Sequence, residues 1–199
     1  MDEEWTDGPQ ARALREIAWR YLPDEDALRW ASLLRPGIRL VAEDGTGDTA
    51  ELPAAARLGG LPRLPDGIPW PTGPAGAPLA FVAAVDCTAL PAGALDVPLP
   101  PEGVLAFFAS APLDGGPDGR YRSGAAGTTP GRVVHLPADA PGSVRTAPPG
   151  VPVFPSARLA ARPELTAPFP EHPRVRDAFA LHTWEDPYGH PLYEQGFLD

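Results

Sequence analysis

The chain has 199 residues, of which 29 are Pro and 21 are Gly, yet 43% are hydrophobic and only 21% are charged; with 5 Trp, 4 Tyr and 7 Phe, this excludes a disordered chain, which is poor in aromatics and richer in charge. The formal net charge is −10, and all 16 basic residues are Arg, scattered without a basic run; that excludes general nucleic-acid binding, which needs clustered cations against phosphate. The single cysteine, Cys87, excludes an internal disulfide framework and a Cys-rich zinc site.

The Arg-only basic set and the Ala/Gly/Pro bias match the codon usage of a GC-rich bacterial genome. No apolar run approaches the ~20 residues of a membrane span. The acidic N-terminus carries no basic n-region with an apolar h-region. The expectation is a cytoplasmic protein with neither a membrane nor a nucleic acid as partner.

In chain order, residues 9–35 predict a helical hairpin. Leu14, Ile17, Ala18 and Tyr21 share one face of the first helix, and Ala27, Trp30, Ala31 and Leu34 repeat the spacing in the second. Pro23 separates the two, Asp24, Glu25 and Asp26 suit the positive helix end, and Pro36-Gly37 stops the pattern. Trp19 and Trp30 are expected to be packing residues. Ile38–Ala42 predicts a strand and residues 43–51 a polar loop. The Pro and Gly density of residues 52–76 predicts ordered loop or edge structure, because proline cannot donate to a sheet ladder. Leu79–Val85 and Val104–Ala109 are short, apolar and bounded by turn residues, the pattern of strands buried on both faces. Residues 113–131 predict a Gly-rich loop. Arg132–Leu136 predicts a third core strand. Residues 137–171 predict irregular chain with a short strand at Val151–Phe154. Pro173 opens a C-terminal helix with Val175, Ala178, Phe179 and His182 on one face.

The fold class predicted is therefore α+β: an N-terminal helical hairpin (residues 1–36) packed on a loop-rich, mainly antiparallel β-core (37–199) that ends in a short helix, with one compact domain expected overall.

The central segment resembles the YwqG-like family of uncharacterised bacterial proteins. The resemblance rests on Gly59-Gly60-Leu61-Pro62-Arg63-Leu64-Pro65, then Trp70-Pro71, then Phe81–Asp86, then Leu90-Pro91, then Pro101-Glu102-Gly103 ahead of the paired-Phe segment Val104–Phe108. Gly131–Val134 and Pro155–Leu165 follow in the same order, so the resemblance spans roughly residues 52–170. It implies an α+β fold and no known reaction. Members of that family typically carry a second Gly-Gly-x-Pro loop and a second paired-Phe strand, which this sequence lacks. The resemblance thus implies an N-terminal portion, a reduced variant or a truncated form. It also implies a strand edge that a homodimer mate or a protein partner would cover.

Five residues are candidates for ligand binding: Arg63, Trp70, Asp86, His135 and His182. Trp70, held between two prolines, offers a rigid stacking surface or a plug for the β-core, with the core role favoured. Asp86 is expected to tie down the following loop, and Cys87 to be a buried structural thiol. His182, Glu185, Asp186 and His190 form the one group with metal-ligand residue types, but Pro187 and Gly189 break helical register, so no metal site is assigned. The glycine loop lacks the spacing of a phosphate-binding fingerprint. No Ser lies in a G-x-S-x-G elbow, and no catalytic residue or cofactor is assigned. Two functions remain: a non-enzymatic protein-interaction module, which is favoured, or a small-molecule-binding protein or enzyme. The second would use a pocket between the hairpin and the sheet, lined by Trp70, Phe81 and Phe107.

Overall fold

The computed structural model describes residues 8–42, 54–73, 76–110, 131–140, 142–170, 172–181 and 192. The chain divides into two compact units. One comprises Met1–Ile38, Ala92–Val97 and Pro163–Asp199; the other comprises Arg39–Pro91 and Pro98–Arg162. The fold is α+β, with an N-terminal helix pair, a mostly antiparallel sheet of six strands and a short C-terminal helix.

The first unit holds the described helices. Helix α1, Pro9–Tyr21, starts on a proline, whose missing N–H costs nothing in the first turn. It ends at Leu22, which is extended, as the residue before Pro23 must be. Helix α2, Asp24–Ala31, opens on Asp24, Glu25 and Asp26, whose charges suit the positive end of its dipole. Arg29 then bonds back to Glu25 at 2.7 Å and to Asp26 at 2.8 Å. Helix α3, Pro173–Ala178, is capped by His172, whose Nδ1 accepts from the Arg174 N–H at 3.1 Å. Ala18, Leu22, Ala27 and Trp30 pack with Val175, Phe179, Leu181 and Leu192 in one core. Of the predicted hairpin face, Ala18, Ala27 and Trp30 are buried and Leu14 and Leu34 pack against the same core. Ile17 and Trp19 are 39% and 40% exposed, whereas the small residues Ala11 and Ala18, two turns apart, are buried. The buried stripe is narrower than periodicity suggested.

From one edge to the other, the sheet runs Arg35–Ala42, Ala157–Thr166, Ala54–Leu58, Ala80–Asp86, Val104–Ala109 and Gly131–Leu136. Its strands are β1 (Arg35–Ala42), β2 (Ala54–Leu58), β4 (Ala80–Asp86), β5 (Val104–Ala109), β6 (Gly131–Leu136) and β8 (Ala157–Thr166). A separate two-stranded ribbon pairs β3 (Arg63–Pro65) with β7 (Gly142–Val144). The pairs β2–β4, β2–β8, β4–β5 and β5–β6 are all antiparallel. The boundary between the units falls inside β1 and inside β8.

Several elements depart from the sequence expectation. Pro36 and Gly37 lie inside β1 and do not merely end the hairpin. Residues 54–58, within a segment expected to be loop or edge, form a strand lying between β8 and β4. The prolines that argued against a strand lie on either side of Ala54–Leu58, and none lies within it. The ten-residue β8 occupies chain read as irregular, while Val151–Phe154 is not a strand. Strand β6 is at the end of the sheet and is mostly exposed, not a core strand. Strands β4 and β5 are not buried throughout: Ala80, Phe81, Ala106 and Phe108 are buried, the other residues are half-buried and Asp86 is exposed. The predicted loop at 113–131 lies, except for Gly131, outside the described residues, as do His182, Glu185, Asp186 and His190.

The core of the second unit is Leu64, Leu79, Phe81, Ala106, Phe108 and Leu136. Its geometry depends on the Gly59–Pro65 loop. Gly59 has φ +57°, and a Cβ there would lie 2.1 Å from the Pro155 carbonyl oxygen, so only glycine fits. The Gly59 N–H bonds the Val82 carbonyl at 2.7 Å and the Gly60 N–H bonds the Phe154 carbonyl at 2.8 Å. This clamp delivers Pro62 and Leu64, both fully buried, onto the sheet.

Candidate functional site

One face of the sheet carries a row of residues in register: Arg57 opposite Ala84, Ala84 opposite Ala106, and Ala106 opposite Val134. Facing residues of an antiparallel sheet point to the same side. Two adjacent alanines therefore leave a hollow between larger neighbours. The next row, Val104 opposite Leu136, supplies one apolar wall. The β3–β7 ribbon contributes Arg63, Pro65 and Gly142, and the turn after β6 contributes Pro137, Ala138 and Ala140. The result is a cavity of about 280 Å³ within the second unit, with Arg57 and Phe81 at its side.

Among the described residues, the charged side chains lining this cavity are Arg57 and Arg63. Arg57 is half-buried, and its guanidinium stands over the Phe81 ring, 5.2 Å from the centroid. Its Nη1 donates to the Gly59 carbonyl and its Nη2 to the Leu61 carbonyl at 2.9 Å. Arg63 is exposed, and its Nη2 donates to the Gly142 carbonyl at 2.9 Å. Carbonyl partners orient both forks but leave their charges uncompensated. Among the described residues, neither makes an ion pair of the kind that joins Arg29 to Glu25 and Asp26.

The remaining sequence candidates are placed elsewhere. Trp70 packs edge-on against Phe108, with centroids 5.8 Å apart, and its Nε1 donates to the Leu79 carbonyl at 2.8 Å. Its indole thus serves the core of this unit. Asp86 caps the 3-10 turn Cys87–Ala89 by accepting from the Thr88 N–H at 2.9 Å and from the Thr88 hydroxyl. Cys87 is buried and free; burial pushes its thiol pKa up, and the neighbouring Asp86 charge adds to the rise. A protonated thiol is a poor nucleophile. His135 is exposed, with Nε2 3.0 Å from the Glu102 carbonyl oxygen. His182 lies outside the described residues. Of the three side chains expected to line a pocket, Phe81 lines this cavity, whereas Trp70 and Phe107 do not.

The structure thus brings Arg63 and Phe81 to one cavity and keeps Trp70, Asp86 and His135 out of it. Sequence reasoning missed Arg57. A lone Arg inside the small-residue run Ala54–Leu58 was the available signal, but that run was not read as a strand. A second cavity, of about 220 Å³, lies in the first unit among Trp30, Phe169, Val175 and Leu192, with no charged residue among its described lining. Among the described residues no group of three or more His, Cys, Asp or Glu is placed to hold a metal ion. No described helix is long and apolar enough to cross a membrane.

The glycine clamp, the ribbon, the cavity and strands β4–β6 all lie in the part of the chain that family comparison singles out. No curated protein matches the chain. Residues 56–170 match a family model described as a domain of unknown function, DUF1963, and with more than half of its length matched the chain belongs to that family.

Proposed function

We propose that this protein is a non-enzymatic interaction module that pairs with a second copy of itself through strand β6. The observation that carries the reading is the position of β6. It is the last strand of the sheet, and no described strand pairs with its outer edge. An open edge offers unpaired N–H and C=O groups to another strand. Val133 is 54% exposed on it, and its neighbours Phe107 and Leu105 on β5 are only half-buried.

The residue pattern suits self-pairing. A two-fold axis through the edge sets residues of equal parity opposite each other. With Val133 opposite its own copy, Arg132 faces Val134; with Val134 opposite its own copy, Arg132 faces Leu136. Neither register opposes two arginines, and β6 carries no carboxylate. The reading extends to a YwqG-like bacterial protein working in the cytoplasm. Its support is the order of the glycine loop, Trp70-Pro71 and paired-Phe strand within the matched span.

Light scattering after size exclusion tests the pairing. The expected mass at tens of micromolar is twice the 21.0 kDa chain mass. Val133→Lys, a charge on an exposed edge, should return the monomer without lowering its melting temperature. A wild-type monomer at that concentration, or a dimer indifferent to Val133→Lys, overturns the reading.

A further inference from the structure

We infer that the cavity beneath the β3–β7 ribbon is a binding site for a small organic carboxylate with an apolar body. Three observations converge on it. First, the floor is hollowed by construction, because Ala84 and Ala106 sit side by side in register while Arg57 and Val134 flank them. Second, apart from the two arginines the lining is apolar side chains and Gly142, among them Phe81, Val104 and Leu136. Third, among the described lining residues both charges are positive and none is a carboxylate.

The chemistry of the two arginines defines the ligand. A guanidinium has five N–H donors in a planar fork that matches a carboxylate bidentately. Arg57 spends one donor on each of two carbonyls and Arg63 spends one. Their remaining donors and their charge are available. Arg57 is held by the Gly59 and Leu61 carbonyls and by the Phe81 ring, so little side-chain freedom is lost when it takes a ligand. Arg63 is exposed and stands at the ribbon side. A carboxylate reaching both would lay its apolar part over the alanine floor against Val104 and Leu136. Such a division, an apolar chamber with a few placed polar groups, is how small-molecule sites are built. A cationic ligand would meet like charge, and a neutral one would leave the arginines unmatched.

The site does not depend on the β6 edge. Cavity residues Ala106 and Leu136 lie on one sheet face, while Phe107 and Val133 alternate to the other. Its test is therefore separate from the test of pairing.

The experiment is calorimetric titration of the full chain with octanoate, alongside 1-octanol, octylamine and acetate. Saturable binding of octanoate is expected, with octanol, octylamine and acetate each at least tenfold weaker. Arg63→Gln removes an exposed charge and should weaken octanoate at least tenfold while leaving the melting temperature unchanged. Ala84→Leu, which fills the floor, should abolish binding in a chain that still unfolds cooperatively. Equal binding of octanol and octanoate would show that charge is not read. Equal binding of acetate would show that the apolar chamber is not used. Either result, no octanoate binding, or full binding by Arg63→Gln overturns the inference.

Discussion

The Arg57 guanidinium stands 5.2 Å from the centroid of the Phe81 ring while its Nη2 donates to the Leu61 carbonyl at 2.9 Å. One side chain on a central strand thereby ties the sheet to the glycine loop. Hydrogen bonds from a charged donor are worth about 1.5–3 kcal/mol each when the partner is desolvated. Half-burial and competition from water bring the sum down. Arg57→Lys keeps the charge but loses the fork, and it should lower stability by about 2 kcal/mol. Urea unfolding measures this; a loss below about 0.5 kcal/mol would mean the loop holds without the fork.

Gly59 makes the sharpest stability prediction. Gly59→Ala places a Cβ 2.1 Å from the Pro155 carbonyl oxygen on backbone already at φ +57°. Backbone, unlike a side-chain tip, cannot swing aside, so a loss above about 3 kcal/mol is expected. Gly67→Ala is the control. A Cβ there meets nothing within 4 Å, and removing unfolded-state freedom should leave stability unchanged or raised by up to about 1 kcal/mol. Paired denaturation curves for the two variants separate conformational demand from a general dislike of alanine.

Cys87 should behave as a protected, protonated thiol. Its burial raises the pKa and the Asp86 charge raises it further. At pH 7.5 iodoacetamide should modify the native chain at least about tenfold more slowly than the urea-unfolded chain. The linkage has a definite sign. An acid with a folded pKa above its unfolded value makes its stability contribution fully below the unfolded pKa and loses it as pH rises toward the folded one. Stability should therefore decline above about pH 8.5, the ordinary thiol value, and this decline should be smaller in Cys87→Ala. An identical alkaline slope in the two proteins would contradict the burial argument.

How much was legible in advance depended on what kind of signal each element carried. Strands β4 and β5 are continuous apolar runs between turn residues, and they were readable to within a residue or so. Strand β2 was not. Ala54–Leu58 is rich in alanine, and its place between β8 and β4 comes from partners 99 and 25 residues away, Ala157 and Ala83 opposite Leu58. Strand β8 was hidden for the same reason. It mixes Ala, Arg and Leu with one Pro and shows no continuous apolar run, and pairing decides its conformation. The alanines of the cavity floor look featureless in sequence, because a hollow is a property of two neighbouring strands in register. Arg63 and Phe81 could be singled out by residue type, but their shared cavity could not.

The amino-acid sequence by itself determined the α+β class, the punctuation by proline and the two apolar strands, because those follow from local sterics and burial. Only the tertiary structure decided that β6 is an edge, that Arg57 and Arg63 meet one cavity, and that Trp70 serves the core. Those outcomes rest on strand order and register, which are set by contacts between distant segments.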